Sequence, residues 1–194
     1  MIFNNKNVLV TGHTGFKGSW LSRWLSHMGA NVIGLSDKIP TNPAHFQLIK
    51  DYIVHDYRSD VANKDDVFDI INKFKPQFVF HLAAQPIVLE SYKNPLNTFI
   101  TNIVGTTNIL DSIREINHEC VAIIITSDKA YDNVEWTYGY REIDRLGGKD
   151  PYSGSKGAAE LVIRSYVESF FKKSESNVTI GIGRAGNVIG GGDW

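Results

Sequence analysis

The chain has 194 residues, 42% of them hydrophobic, which is enough to build the core of one domain of ordinary size. Lys and Arg number 20 against 21 Asp and Glu, and the net charge of -1 excludes a general attraction to nucleic acid or to anionic membranes. No apolar run is long enough to cross a bilayer, and MIFNNKNVLV lacks the pattern of a secretion signal, so we expect a cytoplasmic protein. The single cysteine, Cys120, lies in an apolar run and is expected to be a small buried side chain.

The elements predicted from the pattern alternate between strand and helix along the chain. The candidate strands are NVLV, NVIGLS, YIVH, FVFHLA, VAIIIT and VTIGIGR. Helical spacing occupies residues 17–28, 63–74, 95–116 and 152–172. Alternation of this kind builds βαβ units, and continuously apolar strands are covered on both faces. We therefore predict an α/β fold over residues 1–194, a Rossmann-type doubly wound parallel sheet with helices on both faces.

Two stretches interrupt the alternation. Residues 37–47 contain two prolines, and residues 132–149 are mainly polar. Long loops in a compact α/β domain are more often functional than accidental, so both stretches are candidate parts of a site.

A glycine-rich loop follows the first strand. In TGHTGFKG, Gly12, Gly15 and Gly18 precede the helical stretch SWLSRWLSHMG. Glycines at such a junction let the backbone turn tightly and approach a pyrophosphate, while the helix start presents free N–H groups to the anion. Glycine triplets also serve ordinary turns, but the strand before and the helix after this one predict dinucleotide binding. His13 and Lys17 could touch phosphate or could equally be solvated loop side chains.

The ends of the next three strands supply the other candidate cofactor contacts. A ribose-binding acid is expected near Ser36 or Asp37, and Lys38 could tolerate a 2′-phosphate, so NAD is favoured with NADP not excluded. Asp56, which we place at the end of the third strand, could accept from the adenine amino group or could be a turn residue. The small residues of HLAAQP would let backbone lie close to a cofactor, or could serve plain packing. The predicted cofactor contacts are Gly12, Thr14, Gly15, Phe16, Lys17, Gly18, Ser36, Asp37, Asp56, Tyr57, Leu82, Ala83, Ala84, Gln85, Tyr152 and Lys156.

A tyrosine and a lysine in DPYSGSKGAAEL form the first candidate catalytic pair. Tyr152 and Lys156 are four residues apart and share one face of a helix that Asp150 and Pro151 begin. An ammonium beside a phenol favours the phenolate, which makes Tyr152 a usable proton acceptor. The spacing alone is common on helix surfaces, and the upstream glycine loop is what favours the catalytic interpretation.

A second cluster, TSDKAY, ends the fifth strand, where ligands bind in open α/β sheets. Ser127 could hydrogen-bond the same substrate hydroxyl as Tyr152. Asp128 and Lys129 add a carboxyl and an amine, which suit elimination of water because that reaction needs both an acid and a base. The alternative is a turn with an Asp cap and an exposed Lys.

At these residues the sequence resembles the extended short-chain dehydrogenase/reductase family, the NAD-dependent epimerases and dehydratases with a TGxxGxxG loop and a YxxxK pair. Within it, TGHTGFKGSWL, HLAAQP, TSDKAY, GYRE, LGGKDPYSGSKGAAEL and RAGNVIGGGDW are similar to the CDP-glucose 4,6-dehydratases along the whole chain. Those enzymes continue beyond GGDW into a domain that holds the nucleotide. The resemblance thus implies an NAD-binding half, with the C-terminal sugar-nucleotide-binding domain absent from this chain.

The resemblance implies a lyase that converts CDP-glucose to CDP-4-keto-6-deoxyglucose through a transient oxidation by bound NAD, in deoxysugar biosynthesis. Tyr152, assisted by Ser127 and Lys156, would take the proton of the sugar 4-hydroxyl. Asp128 would be the acid toward the leaving hydroxyl, and Lys129 the base or an electrostatic partner. The dTDP-glucose dehydratases have Asp-Glu at this point, and the Asp-Lys of this sequence departs from them.

The resemblance also implies substrate contacts and a homodimer. Asn102 and Asn187 match positions that line the active site and the substrate diphosphate, although they could be a helix cap and a turn residue. Relatives commonly pair the helices that match residues 95–116 and 152–172 across a dimer interface. The apolar spacing of these two segments would equally suit packing against the sheet. No metal, nucleic acid or membrane partner is expected.

Two other functions remain open from the sequence. An epimerase or reductase of the same fold would use Tyr152 and Lys156 but would leave Asp128 and Lys129 without a role. A catalytically incomplete NAD-binding fragment is the other, because no nucleotide-sugar pocket is evident in the chain.

Overall fold

The computed structural model describes residues 1–173 and 175–193; Trp194, the last residue of the GGDW motif, lies outside them. Six parallel strands form one sheet in the order β3-β2-β1-β4-β5-β6. This is the strand order of a Rossmann-type doubly wound sheet, and it confirms the predicted fold class. The strands are β1 Asn7–Thr11, β2 Asn31–Ser36, β3 His55–Arg58, β4 Phe78–His81, β5 Cys120–Ser127 and β6 Val178–Ala185.

Seven α-helices connect these strands within the described residues. They are α1 Phe16–His27, α2 Phe46–Ile49, α3 Lys64–Phe74, α4 Val88–Lys93, α5 Pro95–Phe99, α6 Gly105–Arg114 and α7 Pro151–Tyr166. Wider π-type turns, Ile100–Val104 and Val167–Phe171, continue α5 into α6 and extend α7. The helix predicted over residues 95–116 is thus two helices joined by a π-type turn. None of the helices in the described part of the chain is both long and apolar enough to cross a membrane.

The third strand lies later in the chain than predicted. Tyr52 ends the 3-10 turn Lys50–Tyr52, and β3 begins at His55, so the run YIVH is mainly connection. Because β3 is an edge strand, its exposed residues are polar and it has no apolar run of its own. Ile53, from the run that suggested the strand, packs instead against the core beside β1 and β2.

Alternate residues of the strands enter two cores on opposite faces of the sheet. Leu9 faces the main core, where the sheet packs against α3, α6 and α7. Val8 and Val10 face a smaller core with Leu25 of α1. Helices therefore cover both faces of the sheet at β1.

The face of the sheet that carries the smaller core is less covered at β5 and β6. Val121 and Ile123 pair with Phe78 and Phe80, which belong to the smaller core, so they lie on that same face. Val121 is nevertheless exposed. Parallel sheets are usually covered on both sides, so this apolar strip is an unusual surface.

Candidate functional site

The glycine loop lies at the carboxyl end of β1, between β2 and β4, where the strand order reverses. Gly12 has φ +73° and donates its N–H to the Leu35 carbonyl at 2.8 Å. A Cβ atom on Gly12 would lie 2.7 Å from the Ala83 nitrogen, and one on Gly18 would lie 2.0 Å from the Gly12 carbonyl oxygen. Both positions therefore require glycine, the first through its conformation and both through close packing.

Gly15 differs from the other two glycines of the loop. It is the N-cap of α1 in an extended conformation, with φ −73° and no side-chain cap. A Cβ atom there would lie 3.4 Å from the Gly12 carbonyl oxygen, so the fold itself tolerates one. Phe16 and Lys17 follow in the first turn, and burial lowers the pKa of Lys17. The N-terminus of α1 is thus open to an anion.

His13 is buried and is not a solvated loop side chain. Its Nδ1 lies 2.9 Å from the Ser36 hydroxyl oxygen, and its Nε2 lies 2.9 Å from a carboxylate oxygen of Asp56. Burial lowers the pKa of His13 more than Asp56 raises it, so the ring is neutral at pH 7, with Nε2–H donating to Asp56 and Nδ1 accepting from Ser36. A Cβ atom on Gly34 would overlap this ring at 2.3 Å. His13 therefore ties the glycine loop to β2 and β3 and points away from the phosphate side.

Thr14 joins the loop to the segment that follows β2. Its hydroxyl donates to the Lys38 carbonyl at 2.6 Å, and its N–H lies 3.4 Å from the Ser36 hydroxyl oxygen. Asp37 is exposed at the rim, where its carboxylate accepts from the Lys38 N–H at 2.7 Å. Ser36 ends β2, as predicted, but its buried hydroxyl is directed to His13.

The placement of Asp56 at a strand end is wrong. Asp56 is the second residue of β3 and pairs with Gly34, and its carboxylate also accepts from Arg58 at 2.7 Å. The neighbouring Tyr57 packs against the main core, and its hydroxyl accepts from Lys73 at 2.9 Å. Both side chains are thus engaged within the protein.

The segment after β3 continues along the edge of the sheet. Ser59 donates its N–H to the Ser36 carbonyl at 3.1 Å, so Ser59 and the exposed Asp60 extend past the end of β2. The Asp60 carboxylate accepts from the Ala62 N–H at 2.9 Å, and the sequence did not single out this residue because the polar composition of β3 conceals the register of that strand.

A buried hydrogen-bond chain holds the segment after β4. The Ala83 N–H donates to the Thr11 hydroxyl at 3.2 Å, and that hydroxyl donates to His81 Nδ1 at 2.7 Å. His81 Nε2 donates to Thr106 at 3.1 Å, and the Thr106 hydroxyl donates to the Asn102 carbonyl at 2.7 Å. Burial, with a smaller effect of the Lys156 charge, lowers the pKa of His81 to about 3, so the ring is neutral. This series of hydrogen bonds fixes Leu82, Ala83 and Ala84, all half-buried, against the glycine loop.

Asn102 is buried in the π-type turn before α6, and its amide bonds are made within the protein. Its Oδ1 accepts from the Gln85 N–H at 2.8 Å, and its Nδ2 donates to the Gln85 carbonyl at 3.1 Å and to Ser155 at 2.8 Å. Gln85 itself donates to Thr98 at 2.9 Å. These bonds position the loop after β4 against α7, and direct contact of Asn102 with substrate stays a prediction.

Tyr152 and Lys156 lie on the buried face of α7. The helix begins as predicted, with Pro151 in its first turn and the Asp150 carboxylate accepting from the Ser153 N–H at 3.0 Å. Burial lowers the pKa of Lys156 to about 8, with the Lys17 charge as a second cause. An ammonium that gives up its proton near neutral pH is suited to moving a proton beside a phenol.

The predicted cluster at the end of β5 forms a 3-10 turn, Asp128–Ala130. The buried Ser127 hydroxyl donates to Asp128 at 3.1 Å and accepts from the Lys129 N–H at 3.2 Å. The ammonium of Lys129 is 3.7 Å from the Asp128 carboxylate, and both side chains are about half exposed. The turn therefore presents an acid and an amine to an open space beside β5.

Two contacts bring the remaining predicted residues to this turn. A Cβ atom on Gly157 of α7 would lie 3.4 Å from the Ala130 carbonyl, so α7 packs against the turn. A Cβ atom on Gly186 would lie 3.5 Å from a carboxylate oxygen of Asp128. The next residue, Asn187, is exposed. The turn, α7 and the segment after β6 thus lie side by side at the carboxyl end of β5. Asp56 and Tyr57 are turned into other contacts.

Comparison with known proteins identifies the family to which this chain is similar. The sequence profile of the GDP-mannose 4,6 dehydratase family matches residues 9–180. A CDP-glucose 4,6-dehydratase of Salmonella typhimurium is 46% identical over 99% of this chain and 55% of its own length. A CDP-paratose 2-epimerase of Salmonella typhi is 34% identical over 84% of this chain and 53% of its own length. The crystal structure of the Thermus thermophilus UDP-glucose 4-epimerase complex with NAD superposes with a TM-score of 0.73 and 28% identity, covering 85% of this chain and 52% of that one.

The chain spans about half the length of the curated relatives it matches. The family match nevertheless extends across most of its residues, over both the glycine loop and the α7 pair. The chain belongs to the GDP-mannose 4,6 dehydratase family.

Proposed function

We propose that the chain is the cofactor-binding and catalytic half of a sugar-nucleotide 4,6-dehydratase, a lyase that converts CDP-glucose to CDP-4-keto-6-deoxyglucose in the cytoplasm. The proposal rests on the packing of α7, which carries Tyr152 and Lys156, against the Asp128–Ala130 turn, and on the effect of the Lys17 charge of the glycine loop on Lys156. CDP-glucose is chosen because the Salmonella typhimurium relative that carries this activity is 46% identical.

The glycine loop fits NAD. Gly12 and Gly18 bring backbone close to β4 and α1, and Gly15 leaves the start of α1 open for a pyrophosphate. Asp37 at the rim suits a ribose diol, and this favours NAD over NADP although the exposed Lys38 is adjacent. Asp56, whose carboxylate is bonded to His13 and Arg58, and Asp60, whose carboxylate accepts from the Ala62 N–H at 2.9 Å, are both candidates for the adenine edge. A bound NAD would accept hydride from C4 of the sugar and return it to C6, so no net oxidation results.

The chain's own residues would handle the protons. The Tyr152 phenolate, with Lys156 and Ser127 beside the reacting oxygen, takes the proton of the sugar 4-hydroxyl. The resulting ketone acidifies C5. A proton passed from the Lys129 ammonium to the Asp128 carboxylate would leave Lys129 as the amine that removes the C5 proton; otherwise Lys129 would act as an electrostatic partner of this step. Asp128 gives a proton to the hydroxyl that leaves C6 as water. Each group has the chemistry that its step needs, and Asn187 would contact the substrate diphosphate.

The alternative with specific support is a sugar-nucleotide epimerase, because the Salmonella typhi relative is named a CDP-paratose 2-epimerase. An epimerase uses the Tyr152–Lys156 pair and has no leaving hydroxyl for Asp128 to protonate. A noncatalytic NAD-binding role is the second alternative, and it would show as stoichiometric NAD binding without turnover.

A homodimer is part of the proposal. Exposed apolar side chains lie on α5 and on the π-type turn that follows it, at Leu96, Ile100 and Val104. Leu161 of the neighbouring α7 is exposed too. Apolar side chains grouped on two adjacent helices are typical of a face that pairs with a second copy of itself.

The function is tested by incubating the protein with NAD and, separately, with CDP-, dTDP-, UDP- and GDP-glucose. Mass spectrometry then follows the nucleotide sugars. We expect loss of one water from CDP-glucose alone. A sugar product of unchanged mass with altered stereochemistry would favour the epimerase, and no change with any sugar would favour the cofactor-binding role.

A further inference from the structure

Glu160 of α7 and Arg184 of β6 form an ion pair, here named the buried pair, that takes no part in the chemistry described above. The Glu160 side chain is 1% exposed and that of Arg184 is 14% exposed. Arg184 Nε donates to one carboxylate oxygen at 2.7 Å, and Nη2 donates to the other. A buried ion pair often gives no more stability than well-packed apolar side chains, so its presence here needs another explanation.

The buried pair holds both flanks of the elimination turn, the name used below for Asp128–Ala130. Before the turn, the Thr126 hydroxyl donates to the carboxylate of the pair at 2.7 Å. After it, the Tyr131 hydroxyl accepts from the guanidinium at 2.7 Å, and the guanidinium carbon lies 4.6 Å from the Tyr131 ring centroid. The turn therefore lies between two side chains that are fixed to the same ion pair.

The carboxylate of the pair also belongs to the helix that carries the redox pair, the name used below for Tyr152 and Lys156. Glu160 follows Lys156 by one helical turn and Tyr152 by two, and all three are buried. The negative charge of Glu160 raises the pKa of Lys156, so the two side chains interact electrostatically. A displacement of Glu160 would therefore move the redox pair relative to the turn.

We propose that the buried pair is a positioning unit that sets the distance between the elimination turn and the redox pair. The inference rests on the proposed dehydratase function, in which the two sets of groups act on neighbouring carbons of one sugar. Misplacement of a catalytic group by about 1 Å can lower a rate roughly a hundredfold, so a rigid link between the sets has a use that stability alone does not supply.

An aromatic column extends the same link into the loop of residues 132–149. Tyr131 stacks on Tyr140 with 5.0 Å between ring centroids, and Tyr140 stacks on Trp136 at 5.3 Å. The guanidinium of the pair also donates to the Glu142 carbonyl at 3.2 Å. Loss of the buried pair should thus loosen this loop, and that loosening can be measured without substrate.

The first test is tryptic cleavage of the loop at its exposed sites, Arg141, Arg145 and Lys149, in the protein without ligands. The variant Glu160→Leu/Arg184→Met replaces the pair by apolar side chains, so that no buried charge is left alone. At equal distance below each Tm, we expect roughly tenfold faster cleavage than in the parent, because the charge-assisted contacts of the guanidinium with Tyr131 and with the Glu142 carbonyl are lost. The control, Arg114→Lys at an exposed ion pair on α6, should cleave as the parent does. Parental cleavage in the double variant would overturn the proposal.

The second test separates positioning from folding by steady-state kinetics on CDP-glucose. We expect kcat of the double variant to fall roughly a hundredfold while KM stays within about threefold, and Arg184→Lys to recover part of the loss because it keeps the charge. If the double variant does not fold, Tyr131→Phe removes only the hydroxyl contact and should lower kcat several-fold. Unchanged kcat in the folded variants would overturn the proposal. An inactive parent would count against the dehydratase function, and the cleavage result would still decide the role of the buried pair.

Discussion

Lys156 is a buried cation whose protonation responds to pH just above neutrality. The charged groups that face it are Lys17 from α1 and Glu160 from its own helix, and the neutral His81 faces it from β4. Its pKa of about 8 in the folded protein compares with 10.5 for an unperturbed lysine. Between these values the unfolded chain binds a proton that the folded chain does not, so folding stability from this group rises as pH increases from 8 to 10.5.

Replacement of Lys156 by Met tests this linkage. At pH 7 both states of the parent carry the charge, and its burial is unfavourable by about 3 kcal/mol, at roughly 1.4 kcal/mol per unit of pKa difference. Lys156→Met should therefore be more stable than the parent at pH 7, with the difference narrowing steadily above pH 8. Urea unfolding of both proteins between pH 7 and 10 measures it. A constant difference across that range would show that the lysine keeps an ordinary pKa.

Asp128 and Lys129 are exposed enough to be replaced without disturbing the fold. If Asp128 protonates the leaving hydroxyl, Asp128→Asn should lower dehydration of CDP-glucose at least about a hundredfold, since general acids contribute that much or more. The matched control is Asp69→Asn, at an exposed carboxylate on α3. Full activity in Lys129→Ala would remove Lys129 from the mechanism, and mild loss in Asp128→Asn would favour the epimerase.

At the scale of elements, the glycine loop and α7 were predictable because their patterns are local. Gly12, Gly15 and Gly18 follow an apolar strand directly, and Asp150 and Pro151 mark the start of α7 within the sequence itself. The position of β3 was not predictable, because an edge strand with polar residues gives no alternation and its register comes from pairing with β2. The burial of His13 was equally hidden, since it depends on the space that Gly34 leaves in a different strand.

Two glycines of the loop should respond differently to alanine. Gly18→Ala places a Cβ atom 2.0 Å from the Gly12 carbonyl oxygen, so we expect a destabilisation of several kcal/mol, about 2–4, from displaced backbone. Gly15→Ala meets only an ordinary contact at 3.4 Å and should keep the stability of the parent. Its methyl group would lie at the open start of α1, where it should weaken NAD binding about tenfold or more. Thermal unfolding and calorimetric titration with NAD separate the two effects, and equal losses of stability would contradict this account of the loop.

At the scale of the whole molecule, strand order follows from the alternation of elements, whereas the uncovered surfaces do not. The sequence predicted helices on both faces of the sheet, and this is confirmed at β1. Val121 is exposed on β5, although its apolar run indicates a covered strand. Whether an apolar strand is covered depends on elements elsewhere in the chain or in a partner, so a local pattern cannot determine it.

The proposed dimer can be tested at its own face. Leu161→Asp on α7 places a charge among the exposed apolar side chains of α5 and α7 and should raise the dimer dissociation constant at least about a hundredfold. Leu48→Asp on α2 is the matched control, because Leu48 is similarly apolar and is 77% exposed on the other side of the glycine loop. Sedimentation velocity over a range of concentrations gives both constants. A parent that remains monomeric at high concentration would exclude the homodimer.

Cys120, at the start of β5, gives the protein an internal reporter of its own opening. Its thiol is buried in the main core, and burial raises its pKa to about 12. Since the thiolate is the reactive form, alkylating reagents at neutral pH should modify this side chain only during excursions that expose β5. The sequence contains one cysteine, so the rate of mass increase has a single source. The alkylation rate without denaturant would thus measure how often the sheet opens. The decrease of that rate when NAD is added would measure how strongly the cofactor stabilises the closed sheet.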